Sequence, residues 1–317
     1  MKRYILSRLI QSVFVLFVIS LIVFLLIRAV PKDPIYVILG PESQGITPEQ
    51  YAQMKHDLGL DRSLPVQYVM WAQRMVTGDW GHSFKTKRPV TQELATRIPY
   101  SLQLAVLALL LSVVIGITTG VVAALKRNGV LDVISSFVAI AGVALPNFWF
   151  ALILILVFSV HWNIFPAFGG KLIWQDPLGA LQAMVLPAAV LGLSGTASIM
   201  RQMRSSMLEV MGEDYVRTAR AKGLHERKVI WSHAFRNALL PIVTLLGLRL
   251  GGILGGSVIV ETIFSWPGVG RLAVSAIQEV NYPVVQVIVV VSGATVLLAN
   301  LITDISYAYI DPRIHIT

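Results

Sequence analysis

Residues 102–125 read LQLAVLALLLSVVIGITTGVVAAL and contain no charged side chain. At a rise of about 1.5 Å per residue, a helix of this length exceeds the ~30 Å hydrocarbon core of a bilayer. Inside lipid, every backbone N–H and C=O group must be paired within the protein, and a helix does this by itself. The segment therefore predicts a membrane-spanning helix, and this decides the class of the fold.

Five further apolar runs are long enough to span a bilayer. They lie at residues 9–27, 133–160, 180–200, 238–260 and 284–302. Charged residues make up only 14% of the chain, against about 25% in soluble domains. The first run is not expected to be a cleaved signal peptide, because the residues after it, from Arg28 to Pro31, lack a small-x-small cleavage site. We predict an all-α membrane protein with six transmembrane helices.

Basic residues are distributed unevenly between the connections of these helices. One set carries Lys2, Arg3, Arg8, Lys126, Arg127, eight basic residues between 201 and 236, and Arg313. The opposite short connections carry only Lys171 and Arg271. Because basic loops stay inside, both the N and C termini are predicted to be cytoplasmic. The asymmetry also accounts for the net charge of +9, so no nucleic acid is expected, whereas contact with anionic membrane lipid is.

The polar segments divide the chain into four predicted parts. Residues 1–30 form the first transmembrane helix, 31–98 an extracytoplasmic cap, 99–304 a core of five helices, and 305–317 a cytoplasmic tail. Within the cap, Thr47, Pro48 and Gln50 form the pattern of a helix start. Trp71, Trp80 and Phe84 are expected to pack the cap or to rest at the membrane interface.

Residues 201–236 form the second polar segment. Met203, Met207 and Val210 recur at helical spacing and predict a helix that leaves the membrane. Gly223 stands where that helix would end in a left-handed turn, and an amphipathic helix follows from Leu224. A basic connector of this length is often no more than a topogenic signal. Its apolar stripe would be exposed in the cytosol, however, which predicts a soluble partner that buries it.

Several stretches of this sequence resemble one family. Residues 214–224, DYVRTARAKGL, resemble the cytoplasmic coupling loop of ABC importer permeases. RYILSRL (3–9), LPNFW (145–149), ETIFSWPGVG (261–270) and DPRI (311–314) resemble the B-type permease subunit of dipeptide, oligopeptide and nickel importers. The resemblance runs nearly end to end and implies the type I ABC importer permease fold. One departure is Arg217-Thr218-Ala219 where the general loop has Glu-Ala-Ala, so position 217 offers no acidic contact.

By this resemblance the loop couples the chain to an ATPase. The residues that would form the contact are Asp214, Tyr215, Arg217, Thr218, Ala219, Lys222, Gly223 and Leu224. The chain has no Gly-x4-Gly-Lys-Ser/Thr loop, so it is expected to be no enzyme and to bind no cofactor itself. ATP and Mg would be bound by partner ATPase subunits.

The resemblance also implies a set of partners. These are a homologous second permease subunit, two cytoplasmic ATPase subunits and an extracytoplasmic solute-binding protein that docks over the cap. The complex would lie in the cytoplasmic membrane of a prokaryote and import peptides or related small solutes.

Four residues are candidates for the translocation path or its gate: Pro146, Asn147, Arg249 and Glu261. Arg249 lies near the centre of a predicted span, where an unpaired charge costs about 2.5 to 3.5 kcal/mol. It is expected either to line the path or to fix helix packing. Glycines at 247, 251 and 255 share four-residue spacing, which favours close helix contact. Pro146 and Pro187 are expected to kink their helices.

A rival hypothesis is a secondary transporter that couples ions through Arg249, Glu261 or Asp304. Such transporters usually contain paired repeats with interrupted helices, and no convincing repeat is visible. No His, Asp or Glu cluster has the spacing of a metal site.

Overall fold

The computed structural model describes residues 2–30, 33–39, 45–250 and 257–310, and this part of the chain is built from helices. Within it, side chains are described for all residues except 2–5, 34, 244, 247–250 and 304–310. Within these residues, four single helices are long and apolar enough to cross a bilayer. They are α1 (Lys2–Ala29), α5 (Val90–Leu125), α8 (Pro177–Met211) and α15 (Tyr282–Ile310). The predicted spans at 9–27, 102–125, 180–200 and 284–302 lie inside them.

The predicted span at 133–160 is divided in two. It consists of α6 (Val130–Ala144) and α7 (Asn147–Leu154), which a π-helical stretch continues through Ile155–His161, and the two halves are bent by 108°. Pro146 causes the break, because it has no N–H to donate and because it holds Leu145 in an extended conformation with φ −75° and ψ 127°. The kink expected at Pro146 is thus a change of direction, either a broken span or a re-entrant loop. Pro187 lies inside α8 without interrupting it.

The predicted span at 238–260 corresponds to two short helices. These are α12 (Leu240–Leu250) and α13 (Val258–Ile263), and residues 251–256 between them lie outside the described part. The close packing predicted for glycines 251 and 255 falls on these residues. The described residues therefore contain four spans, or five with the bent pair, and the sixth span stays a prediction.

Between α1 and α5, the described residues form three helices: α2 (Pro34–Leu39), α3 (Pro48–Asp57) and α4 (Leu64–Thr77). The predicted helix start is confirmed, since Thr47 and Gln50 each accept a hydrogen bond from the other's backbone N–H, at 3.2 and 3.0 Å. The boundary predicted at residue 98 falls inside α5, which begins at Val90.

The cap aromatics have the packing roles expected of them. Trp71 lies 5.8 Å from the ring of Phe24 in α1. Trp80 donates its indole N–H to the Met75 carbonyl oxygen at 3.1 Å. Phe84 packs edge-on against Tyr282 of α15. Trp71 and Phe84 thereby join the segment before α5 to α1 and α15, and Trp80 stabilises the segment itself.

The contact between α5 and α8 is unusually close. A Cβ atom on Gly120 would lie 2.7 Å from Met203 Cβ and 2.8 Å from the Met200 carbonyl oxygen. Two turns earlier, the Ser112 hydroxyl donates to the Gly192 carbonyl oxygen across the interface at 2.9 Å. Gly116 lies between these positions on the same face. Small residues at four-residue spacing thus bring two backbones together, which is the role that sequence patterning predicted for 247–255.

Replacement of Gly120 by valine tests this contact. The added side chain would overlap the α8 backbone and the stem of Met203, so we expect a cost of about 1 to 3 kcal/mol from overpacking. The midpoint of thermal unfolding in detergent should fall. Gly45→Ala is the control, because no atom of the described residues lies within 4 Å of that Cβ position. Equal midpoints for the two variants would contradict the close contact.

Candidate functional site

The candidate coupling loop is a compact helical segment at one end of α8. Helix α8 continues to Met211, and after Gly212 and Glu213 the chain forms α9 (Asp214–Ala221). Gly223 then adopts a positive φ of 74°, and the Leu224 N–H bonds to the Ala219 carbonyl oxygen at 3.4 Å. The predicted left-handed turn at Gly223 is confirmed, and its φ explains the glycine.

The second half of the loop leads back to α12. It consists of α10 (Glu226–Lys228), a π-helical stretch at Val229–Ala234 and α11 (Phe235–Ala238). Helix α12 begins directly after it, at Leu240. The predicted second helix is confirmed, but it begins at Glu226 instead of Leu224, and its middle part, Val229–Ala234, is π-helical.

The apolar stripe predicted to be exposed is packed inside the protein. Met203 and Met207 are fully buried against α5 and α11, and Val216 and Ala219 of α9 are buried against Val229. The prediction of an unpartnered stripe is therefore wrong for these residues. The reason is that the loop folds back on itself after Gly223, which supplies an internal partner that helical periodicity does not show.

The outer face of the loop is polar and is fixed by its own contacts. The exposed residues there include Tyr215, Arg217, Thr218 and Lys222. Asn237 donates its side-chain N–H to the Tyr215 hydroxyl at 2.8 Å, which joins α9 to α11. Arg220 makes two hydrogen bonds to Glu226 across the turn, at 2.8 and 3.2 Å. These contacts hold the loop in one conformation with a polar outer face.

The Arg220 guanidinium lowers the pKa of Glu226 below its usual range through these hydrogen bonds. The pair is therefore ionised at neutral pH. Because the pKa is lowered in the folded protein, the stabilisation is present above the ordinary carboxyl pKa and is lost as the pH falls through the lowered one.

A partly buried ion pair joins α8 to α6 on the N-terminal side of this loop. Arg204 of α8 makes a two-point contact with Asp132 of α6, with Nε to Oδ1 at 2.5 Å and Nη2 to Oδ2 at 2.7 Å. Asp132 also accepts the Asn128 N–H at 2.9 Å, and its side chain is only 5% exposed. Sequence analysis missed this pair, because its members are 72 positions apart and only the fold brings them together.

Glu261 lies in a second buried cluster, near the other end of α5. It is fully buried, and its carboxylate accepts hydrogen bonds from the hydroxyls of Ser101 and Ser257, at 2.7 and 2.6 Å. The Arg271 backbone N–H donates to its other oxygen at 3.0 Å. Arg271 lies in the first turn of α14 (Val269–Gln278), so the carboxylate caps that helix from a distance.

The residues around Glu261 explain the ETIFSWPGVG stretch. The Ser101 hydroxyl also accepts the Val269 N–H at 2.8 Å. A Cβ on Gly268 would collide with the Glu261 and Ser101 oxygens, and one on Gly270 would lie 2.9 Å from Glu261 Oε2. Trp266 is fully buried and donates its indole N–H to the Tyr100 carbonyl oxygen at 2.9 Å. The stretch holds α13, α14 and α5 together.

The other candidate path residues have different outcomes. Pro146 and Asn147 lie at the bend between α6 and α7. The side chains of Arg249 and Asp304 lie outside the described residues, so their predicted roles stay predictions. In the described part of the chain, no group of three His, Asp or Glu residues could hold a metal ion.

Two family models match this chain end to end. Residues 116–316 match the inner membrane component of binding-protein-dependent transport systems, and residues 1–105 match its N-terminal model. The chain belongs to this permease family.

Full-length relatives agree with this assignment. The permease is 40% identical to the dipeptide transport system permease protein DppB of Escherichia coli K12, over 99% of both chains. It is 39% identical to the oligopeptide transport system permease protein AppB of Bacillus subtilis 168, also over 99% of both chains. The crystal structure titled as an amino acid ABC transporter with histidines has a similar fold, with a TM-score of 0.51 and 17% identity over 69% of this chain and 94% of that one.

Substitution of Gly223 tests the turn in the permease. A side chain at a φ of 74° costs about 1 to 2 kcal/mol, and open space around the Cβ position means that the cost is strain rather than collision. We expect Gly223→Leu to assemble but to lose most ATP-driven uptake in vesicles. Gly223→Asn is the control, because asparagine tolerates positive φ. Full uptake by the leucine variant at normal assembly would disprove a role for the turn.

Substitution of Glu261 tests the buried cluster. Glu261→Gln replaces an accepting oxygen by an NH2 group that faces donors, so we expect a loss of about 1 to 3 kcal/mol. The measurement is the thermal unfolding midpoint of the purified permease. Glu279→Gln is the matched control, since Glu279 pairs with Lys85 at the surface. If Glu261→Gln unfolds at the wild-type temperature, the carboxylate does not hold the cluster.

Proposed function

We propose that this chain is the permease subunit of an ATP-driven importer of di- and oligopeptides or related small solutes. The observation that carries the proposal is the identity of 39–40% over 99% of the chain with permease proteins of dipeptide and oligopeptide transport systems. Identity over the full length covers both ends of the protein, including the coupling loop and the Glu261 cluster. The substrate class is therefore proposed from whole-chain similarity.

Six spans with both termini in the cytoplasm form part of the proposal. The distribution of basic residues supports this orientation, because the loop at 201–236 carries eight of them and the opposite connection around α14 carries Arg271. The coupling loop then lies inside the cell, and the segment at 31–98 and α14 lie outside. The proposed divisions are a first helix (1–30), a cap (31–98), a five-helix core (99–304) and a tail (305–317).

The proposed partners follow from this orientation. Two cytoplasmic ATPase subunits would bind ATP and Mg, and one of them would receive the polar face of α9 in a groove. A homologous permease would complete the path, and an external solute-binding protein would dock over the cap. The complex would lie in the cytoplasmic membrane of a prokaryote.

Movement of the ATPases would reach the membrane through α8. The loop is joined internally by Val216 and Val229 and by the Tyr215–Asn237 contact, so it can move as a unit. Its first helix is continuous with the end of α8 except for Gly212 and Glu213. Arg204 then ties α8 to Asp132 at the start of the bent pair. Displacement of the loop would therefore move α6 and the bend at Pro146.

Ion coupling through Glu261 is less favoured. Its carboxylate is fully buried and is held by two hydroxyls and a backbone N–H. A carboxylate that carries an ion has to bind the ion and release it to water during transport. For Glu261, this would break the hydrogen bonds that cap α14.

The test of the function is transport by the assembled complex. The chain is reconstituted in vesicles with its partner permease, two ATPases and the binding protein, and uptake of a labelled dipeptide is measured. We expect uptake only when ATP is supplied to the ATPase side and the binding protein is present on the other side. ATP-independent uptake by the chain alone under an ion gradient would contradict the proposal.

The ion pair between Asp132 and Arg204 yields a further prediction. Asp132→Asn or Arg204→Gln should reduce peptide uptake per ATP hydrolysed several-fold, because the ion pair that connects α8 to α6 is lost. The exchanged pair, Asp132→Arg with Arg204→Asp, should recover part of the ratio. Lys171→Gln is the control, since it removes the surface pair with Asp176 at 2.7 Å. A pair that only stabilises the fold would lower the amount of complex and leave the ratio unchanged.

A further inference from the structure

A cavity of about 470 Å³ lies where the end of α1, the start of α15 and the cap meet. Its wall includes Arg28 of α1, Arg74 of α4, Lys87 in the turn before α5 and Gln286 of α15. The volume falls within the range of small-molecule sites. None of these residues belongs to the coupling loop, the Glu261 cluster or the Asp132–Arg204 pair, so the cavity is separate from the machinery proposed above.

Two side chains bring polar groups without partners to this wall. Arg28 Nε is buried and has no hydrogen-bond partner among the described residues. The nearby Asp33 is engaged elsewhere, since it accepts hydrogen bonds from the Ile35 N–H and the Tyr51 hydroxyl. The side chain of Gln286 is only 8% exposed and forms no hydrogen bond within the described part of the chain. Buried polar groups are normally paired, so the buried Arg28 Nε calls for a ligand, and the Gln286 amide lies in the same wall to contact it.

The charges of the wall select an anion. Among the described residues of the wall, Arg28, Arg74 and Lys87 face one carboxylate, that of Asp79, which accepts the Gly81 N–H at 3.2 Å. His82 is the remaining titratable side chain apart from the Tyr282 hydroxyl. The rest of the wall is mostly apolar and includes Ile27, Ile38, Leu58, Leu60, Phe84 and Pro283. The cavity thus suits a ligand with an anionic head and an apolar body.

The position of the cavity favours lipid over the transported solute. Helix α1 packs mainly on α15 and α4, so it lies at the edge of the protein. Helix α4 contacts α1 within the apolar run, where the Tyr68 hydroxyl lies 2.8 Å from that of Ser20. The same helix exposes Val66, Val69 and Val76, as expected for a helix in contact with a bilayer. The cavity therefore borders the membrane.

We propose that this cavity binds the headgroup phosphate of an anionic phospholipid. The guanidinium of Arg28 and the amide of Gln286 are the donors, and the phosphate gives the buried Nε an acceptor. The acyl chains lie along the exposed apolar face of α1. The bound lipid would join the first helix to α15 and the cap.

Binding of phosphatidylglycerol to the delipidated complex, measured by native mass spectrometry in detergent, tests the proposal. Phosphatidylcholine is the comparison lipid, and neither ATP nor peptide is needed, so the result is independent of transport. We expect preferential binding of phosphatidylglycerol, with Arg28→Gln weakening it about tenfold or more. Gln286→Leu should weaken it less, and Arg62→Gln, a cap variant outside the cavity, should leave it unchanged.

Three results would overturn the proposal. The first is equal binding of the two lipids to the wild type. The second is an equal loss in Arg28→Gln and Arg62→Gln, which would indicate unspecific charge attraction. The third is displacement of the lipid by glycerol phosphate or by a dipeptide at similar concentration, which would assign the site to a soluble anion or to the transported solute. If Arg28→Gln does not assemble, Gln286→Leu decides by the same measurement.

Discussion

The direct contact between the backbones of α5 and α8 is the constraint on which the other parts depend. Gly116 and Gly120 allow it, and Ser112 bonds across it. Helix α5 carries Ser101 toward the Glu261 cluster, and α8 carries Arg204 toward Asp132 and then leads into the coupling loop. Both buried polar clusters and the loop are therefore attached to one rigid pair. In lipid, where apolar side chains gain little from meeting each other, such close packing is a main source of helix association.

The two buried acids show how an apolar protein holds acidic side chains inside. Asp132 is held by a two-point contact with Arg204, and Glu261 by two hydroxyls and a helix N-terminus. Each acid ties together elements that are distant in sequence. Removal of one partner would leave a buried polar group unsatisfied, which costs more than the net value of the contact. These contacts determine which helices lie together, in addition to the close packing of α5 and α8.

The coupling loop unites rigidity with a polar outer surface. Most of its apolar residues pack within the loop and on α5, although Trp231 is half exposed, and its exposed face presents Tyr215, Arg217 and Lys222. A partner that binds this face meets hydrogen-bonding and charged groups instead of an apolar stripe. Rigidity comes from within the permease, so it exists before any partner binds.

The sequence by itself determined the all-helical class, four of the spans, the turn at Gly223 and the capping box at Thr47, because apolar run length and cap residues act locally. Its motifs also identified the family. Only the tertiary structure decided that Pro146 turns the chain by 108°, that the apolar stripe of α9 faces inward and that Glu261 caps α14. The Asp132–Arg204 pair and the close approach at Gly120 appeared there as well. Most of these features depend on contacts between residues far apart in sequence. Such contacts follow from the way helices pack against each other, and the periodicity along a single helix carries no information about that packing.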